Sequence, residues 1–134
     1  MTRSEPNSAS ADTMLRVLVV DDSSFLHSIL RVSLKRYADC QIAYAKNGLE
    51  ALEQIAEAEP DLILLDVNMP VMDGLEFLGH LKERGVAERV PIVIISTEGE
   101  EADLERGIEA GATAYLPKPF KERELHDLLD RVLR

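Results

Sequence analysis

The stretch Leu15-Arg16-Val17-Leu18-Val19-Val20, which runs directly into Asp21-Asp22, decides the fold of this chain. Short β-branched and aliphatic runs bounded by polar residues are typical of strands buried on both faces. Three further runs have this form and also lead into polar residues: 62–65 before Asp66, 92–95 before Ser96-Thr97, and 114–116 before Pro117-Lys118. Four strands are therefore predicted to end beside side chains that can bind a cation or a phosphate group.

Amphipathic stretches separate these runs, and 41–45 adds a weaker strand, which makes five strands and five helices in strict alternation. Asn47-Gly48 opens the second helix, and Leu49 is expected on its inner face. The fourth helix, over 99–110, is more polar and is expected to turn Ile108 inward.

Alternation of this kind implies parallel strands joined by right-handed crossovers, with helices on both faces of one sheet. Five strands are too few to close an eight-stranded barrel. We therefore expect an α/β fold with a five-stranded parallel sheet, doubly wound as (βα)5, in the known flavodoxin-like strand order 2-1-3-4-5. The first and third strands are neighbours in that order, so their carboxyl ends would bring Asp21, Asp22 and Asp66 together.

Length and composition predict one globular domain over 14–134, preceded by a Ser-, Asn- and Ala-rich flexible tail over 1–13. The net charge of −10 argues against nucleic acid or an anionic membrane as a partner. The apolar runs are too short to span a bilayer, and no secretion signal is evident. Cys40 is the single cysteine, which fits a reducing cytoplasm.

The carboxylates predicted at this sheet edge would repel one another without a cation between them. Mg²⁺ favours octahedral oxygen ligation and is usually held by one or two carboxylates together with phosphate oxygens. Asp22 and Asp66 are the expected direct ligands, and Asp21 is expected to act through water. The backbone carbonyl of Asn68 would complete the protein's share of the ligands.

Asp66 stands alone at the end of a central strand, which makes it the candidate nucleophile for a phosphoryl group. Phosphoryl transfer depends mainly on positioning and on charge neutralisation. Mg²⁺ would supply part of that neutralisation, and the ammonium group of Lys118 would supply more. The hydroxyl of Ser96 can donate to a phosphoryl oxygen, and the loop that follows it would then shift.

In combination, these residues resemble the receiver domain of bacterial two-component response regulators, from Leu15 to the end of the chain. The motifs that carry the resemblance are Asp21-Asp22, Leu65-Asp66-Val67-Asn68-Met69-Pro70 with Met72-Asp73-Gly74, Ser96-Thr97-Glu98, and Lys118-Pro119-Phe120. The family implies that a sensor histidine kinase transfers a phosphoryl group to Asp66 and that Asp21 and Asp22 hold Mg²⁺. It also implies that Ser96 is the hydroxyl switch, that Tyr115 swings inward when Ser96 engages phosphate, and that Lys118 contacts the phosphoryl group.

Because no output domain follows the fifth helix, the chain resembles the stand-alone, chemotaxis-type members. The resemblance implies that a downstream protein reads the fourth helix, the fifth strand and the fifth helix. A chemotaxis or motor component is one candidate for that protein. However, motor-binding members tend to carry lysine early in the fourth helix, where this chain has Glu98, Glu100 and Glu101.

Other functions compete with that of a phosphorylated receiver. The chain would not be an enzyme beyond self-catalysed phosphoryl transfer and slow autodephosphorylation, because Asn68 stands where an aspartyl-phosphate phosphatase needs an acid. A flavodoxin-type electron carrier needs a hydroxyl-rich loop where Asp21-Asp22 stands. A receiver-like binding module not controlled by phosphorylation, and a receiver fragment of a longer regulator, remain as alternatives.

Overall fold

The computed structural model describes residues 15–21, 28, 31, 34, 40–66, 74–97, 105, 108–109, 111–118 and 120–133, with the backbone alone at 74, 75, 96, 97 and 118. The segment 1–13, predicted as a tail, lies outside them. The strands are β1 (Leu15–Val20), β2 (Cys40–Ala45), β3 (Leu62–Leu65), β4 (Ile92–Thr97) and β5 (Ala114–Lys118). All pairings are parallel, and the order is β2-β1-β3-β4-β5. The predicted fold class and strand order are confirmed.

Four helices have defined bounds: α1 (Gly48–Glu57), α2 (Gly74–Glu83), α3 (Val86–Arg89) and α4 (Glu122–Val132). They correspond to the second and third predicted helices, an additional short helix, and the fifth predicted helix. Single helical residues fall in the first and fourth predicted helices, at Ser28 and Arg31 and at Glu105, Ile108 and Glu109. The bounds of those two helices lie outside the described residues.

Side chains alternate along the central strands and build one apolar layer on each face of the sheet. The layer that contains Leu18, Val20, Ile63 and Leu65 is called the first face. These residues pack with the buried residues of α1, α2 and α3. The second face contains their strand neighbours Val17, Val19, Leu62 and Leu64, which pack with Leu34 and the buried leucines of α4. Because the central strands β1, β3 and β4 bury both faces, the sheet is doubly wound, as the sequence predicts.

The predicted inner faces of two helices are partly wrong. Leu49 is 50% exposed and Ile108 is 44% exposed. In α1 the buried side consists of Gly48, Ala51, Leu52 and Ile55. Since a helix turns about 100° per residue, a stripe centred on these residues directs Leu49 away from the sheet.

Strands β4 and β5 both extend further than their apolar runs. Ser96 pairs with Pro117, and Thr97 pairs with Lys118, so both polar positions of β4 lie within the strand rather than after it. Pro117 has no N–H group, and it is tolerated because β5 is an edge strand. Backbone pairing, and not hydrophobicity, therefore sets where these two strands end.

The connection that enters β5 is fixed to its surroundings at several points. The N–H of Gly111 donates to the carbonyl of Ile108 at 3.1 Å. Gly111 has φ of 116°, and a Cβ atom there would lie 3.1 Å from the Cβ of Ala87. The N–H of Thr113 donates to the carbonyl of Ile92 at 2.7 Å, and its Oγ1 accepts from the Ile92 N–H at 3.0 Å. A positive φ at Gly111 is typical of the residue that follows a helix, and the bounds of the fourth predicted helix themselves lie outside the described residues.

An ion pair links α3 to the end of α1. Arg89 donates from Nε and Nη2 to the two carboxylate oxygens of Glu59, at 3.2 and 2.8 Å. The hydrogen bond from Arg89 holds the pKa of Glu59 below its ordinary value. Because both side chains are exposed, the pair positions α3 more than it stabilises the fold.

Asn47 caps α1, and its replacement provides a test of that cap. Its Oδ1 accepts from the N–H of Glu50 at 2.9 Å, while the carboxylate of Glu50 accepts from the N–H of Lys46 at 3.1 Å. We expect Asn47→Ala to lower the free energy of unfolding by about 1 kcal/mol in urea denaturation. Asn47→Ser, which keeps a capping oxygen, should lose much less, and an equal loss in both variants would contradict the capping role.

Candidate functional site

Asp21 and Asp66 stand at the ends of two neighbouring strands. Val20 and Leu65, the last residues of β1 and β3, are register partners. The N–H of Asp66 donates to the carbonyl of Val20 at 2.9 Å, and the N–H of Asp21 donates to the carbonyl of Ala45 at 3.0 Å. The hydrogen-bonded ladder thus continues past the strand ends and holds the backbones of both acids in line with their strands. Neighbouring strands in a sheet lie roughly 4.8 Å apart.

The sequence did not predict the part that Ala45 plays. Its carbonyl is the acceptor that fixes the Asp21 backbone, and it belongs to the weak strand β2. The parallel register of β1 and β2, which pairs Val20 with Ala45, would have indicated this contact. That register cannot be read from hydrophobicity alone.

Both acids are buried. The Asp21 side chain has no exposed surface, and Asp66 is 8% exposed. A carboxylate removed from water is costly unless hydrogen bonds, opposite charge or a metal ion offsets the desolvation. Two buried carboxylates on adjoining strand ends are a donor set that suits a hard divalent cation with oxygen ligands.

The hydroxyl and lysine positions follow at the same edge of the sheet. Ser96 and Thr97 end β4, which is the neighbour of β3, and Lys118 ends β5, which is the neighbour of β4. The ends of β1, β3, β4 and β5 are therefore consecutive along this edge. The structure brings the backbone of these predicted site residues to one side of the sheet.

Tyr115 lies on β5, opposite Ile94 in register. It is half-buried and packs against the apolar layer of the first face. Leu116, the next residue, belongs to the second face beside α4. Tyr115 therefore sits on the same face as α1, α2 and α3, at the strand that also carries Lys118.

Part of the predicted site lies outside the described residues. Asp22 and Asn68 are not among them, and only the backbone is described for Ser96 and Lys118. Within the residues whose placement is given, no group of three or more His, Cys, Asp or Glu side chains is arranged to hold a metal ion. The complete magnesium ligand set therefore remains a prediction. Across the same residues, no helix has the length and hydropathy needed to cross a membrane.

Comparison with known proteins identifies the family to which this chain belongs. The family described as the response regulator receiver domain matches residues 17–130. The chain is 36% identical over 119 residues to the chemotaxis protein CheY of Halobacterium salinarum, covering 88% of this chain and 96% of that protein. The chain belongs to the response regulator receiver domain family. It is thus a receiver domain of the two-component response regulators, as the sequence motifs predict.

Solved structures agree with this assignment. The chain superposes on the chemotaxis response regulator CheY4 of Vibrio cholerae with a TM-score of 0.81 and 37% identity, covering 90% of this chain and all of that one. It also superposes on the receiver domain of the sensor histidine kinase PA1611 of Pseudomonas aeruginosa, with a TM-score of 0.78 and 28% identity, covering 90% and 98%. That structure is described with a magnesium ion coordinated in its active site cleft. The chain spans only about half the length of several other curated relatives.

Proposed function

We propose that this receiver domain accepts a phosphoryl group on Asp66 from a sensor histidine kinase, in a reaction that requires Mg²⁺. The observation that carries the proposal is the placement of two buried carboxylates on adjoining strand ends. Asp21, Asp22, Asp66 and the backbone carbonyl of Asn68 would hold the metal ion. When bound, Mg²⁺ supplies charge neutralisation for the phosphoryl oxygens.

Asp66 is a better candidate for the phosphoacceptor than Asp21, because a phosphoryl donor must be able to reach the attacking carboxylate. Asp66 keeps 8% of its surface exposed, whereas Asp21 keeps none. An oxygen of the Asp66 carboxylate forms a bond to phosphorus while the P–N bond to the kinase histidine breaks. The imidazole nitrogen takes the electron pair and then a proton. The receiver itself would catalyse the transfer, and the Lys118 ammonium would neutralise phosphoryl charge.

Phosphorylation would then change a surface that another protein reads. Ser96 would donate its hydroxyl to the phosphoryl group, and Tyr115 would turn further inward on the first face. The surface comprises the fourth predicted helix, β5 and α4. Ile108 supports this proposal, because it is a large apolar side chain that is 44% exposed. It lies between the exposed Glu105 and Glu109, which suits a partner with an apolar pocket and basic rim.

The downstream partner is proposed to be a protein in the cytoplasm, with a chemotaxis component as the first candidate because of the likeness to CheY. A second candidate is that the chain acts as the receiver part of a longer regulator. The observation that favours this is the length of several relatives, of which the chain spans 51% and 44%.

The proposal is tested by adding beryllofluoride, a mimic of the phosphoryl group, with and without Mg²⁺. We expect amide NMR signals at Ser96 and Tyr115 to shift only when both are present. Ile63, in the middle of β3, serves as an internal control and should stay in place. If beryllofluoride shifts the Ser96 and Tyr115 signals equally after a chelator has removed Mg²⁺, or does not shift them when Mg²⁺ is present, the proposed function is wrong.

A further inference from the structure

β2 leaves its outer edge open. It is the first strand in the order of the sheet, and no other strand of the described residues pairs with that edge. Its six residues, Cys40–Ala45, include no charge and no proline. The opposite edge strand, β5, carries Pro117 and Lys118, which are the devices that usually protect an edge from further pairing. The two edges of the sheet are therefore unequally protected.

A cleft of about 650 Å³ lies against the same strand. Its lining includes Leu18, Gln41, Ala43, Gln54, Glu57 and Pro60. The cleft exists because α1 covers only the carboxyl end of β2. There the Nε2 of Gln54 donates to the carbonyl of Tyr44 at 2.8 Å, and Ala45 is buried, while Gln41 and Ala43 remain exposed.

The cleft is distant from the phosphoacceptor along the strands. Arg16, which also lines it, is the second residue of β1, and its carbonyl accepts from the N–H of Asp61 just before β3. Asp21 and Asp66 stand at the other ends of these strands. The cleft and the open edge thus form one surface at the amino-terminal half of the sheet.

An open strand edge beside a cleft suits an extended peptide. The outward N–H and C=O groups of the first residues of β2, before Tyr44, would bond its main chain, and the cleft would receive alternate side chains. Cleft dimensions of several hundred cubic ångströms accommodate such side chains. We infer that β2 and this cleft form a docking site for an extended, positively charged segment of another protein.

Charge and composition favour a positively charged peptide over a second copy of this chain and over the chain's own residues 1–13. The chain carries a net charge of −10, and Glu57 lines the cleft next to the exposed side of α1, which also carries Glu53. A second copy would bring another −10 to the same surface. The chain's own residues 1–13 include Pro6, Asn7 and Asp12, which are residue types that strands disfavour. Arg16 also lines the cleft, but Asp61 stands beside it, with its carboxylate accepting from the Arg16 N–H at 2.9 Å, so acids outnumber bases around the cleft.

The test selects short random peptides displayed on phage against the complete chain, followed by fluorescence polarisation with the synthesised peptides. The enriched peptides are expected to alternate apolar and polar residues and to carry net positive charge. Ala43→Arg, which fills the cleft, should weaken their binding by about tenfold or more. Ala56→Arg is the matched control, because Ala56 is also exposed but lies outside the cleft lining, and it should leave binding unchanged.

Two further measurements distinguish a loss of peptide binding from a folding defect in Ala43→Arg. Glu57→Gln, on the surface of α1, should weaken binding severalfold and reduce its dependence on salt. In the wild type, the bound peptide should slow hydrogen exchange at the outward amides of β2. Beryllofluoride is absent throughout, so the result does not depend on phosphorylation.

Several outcomes would overturn the inference. Failure to enrich any peptide, or an equal affinity for Ala43→Arg and the wild type, would contradict it. If peptides bind only after residues 1–13 are deleted, the chain's own segment is the occupant. If light scattering shows a dimer that Ala43→Arg dissociates, the occupant is a second copy.

Discussion

Asp66→Asn is expected to abolish phosphorylation of this receiver by acetyl phosphate and by a sensor histidine kinase. The amide keeps the size of the side chain and the backbone hydrogen bond to Val20, but it lacks the anionic oxygen that attacks phosphorus. Intact mass spectrometry should find a gain of about 80 Da on the wild type in Mg²⁺, and none on the variant.

Asp127→Asn is the matched control for this experiment. Asp127 lies on the exposed side of α4 and is not one of the predicted site residues, and its variant should be phosphorylated like the wild type. A persistent gain in mass on Asp66→Asn would place the phosphoryl group on another residue. Loss of phosphorylation in both variants would show that the assay reports general damage.

Phe77→Ala is expected to have the largest effect on stability. Phe77 lies on α2, is fully buried, and contributes to the apolar layer of the first face. Removing a buried phenylalanine side chain costs about 3–5 kcal/mol, a large share of the roughly 5–15 kcal/mol that stabilises a domain. Urea denaturation followed by circular dichroism should show the unfolding midpoint fall accordingly.

Phe120→Ala provides the comparison, because Phe120 is only half-buried and packs at the margin of the second face. Its loss should be clearly smaller than that of Phe77→Ala. Equal losses for the two variants, or a loss at Phe77 below about 1 kcal/mol, would contradict the close packing of the first face.

The strands were the most predictable part of the fold. β1 and β3 have the bounds predicted for them, because strands buried on both faces are almost continuously apolar; only the exposed Arg16 of β1 departs from this. β4 and β5 extend beyond their runs because Ser96 and Thr97 find partners in Pro117 and Lys118. Such pairing depends on the neighbouring strand, and no local pattern in the sequence reports it.

Helix orientation was less predictable. Leu49 is apolar but directed away from the sheet, while Gly48 and Ala51 are buried, because packing against a strand favours small residues at close contacts. Ile108 is likewise exposed where the apolar pattern predicts an inward position. The short helix α3 follows Gly85, whose φ is 75°, and four residues carry no periodic signal.

The candidate site was predictable in its position but not in its supports. Strand order alone places Asp21 and Asp66 at neighbouring ends, and that placement is what the structure has. The carbonyls that hold their backbones, those of Ala45 and Val20, follow from register, which only the folded sheet defines. Burial that differs between the two acids also arises from tertiary packing.

The attachment at Gly111 has a mechanical consequence. The chain is attached there to the rest of the fold by the close approach to Ala87 and by the paired hydrogen bonds of Thr113 with Ile92. Any rearrangement begun at the end of β4 therefore has a stationary far end. A rearrangement that starts beside Asp66, the proposed phosphoacceptor, would therefore be expected to diminish towards Gly111, where the chain enters β5.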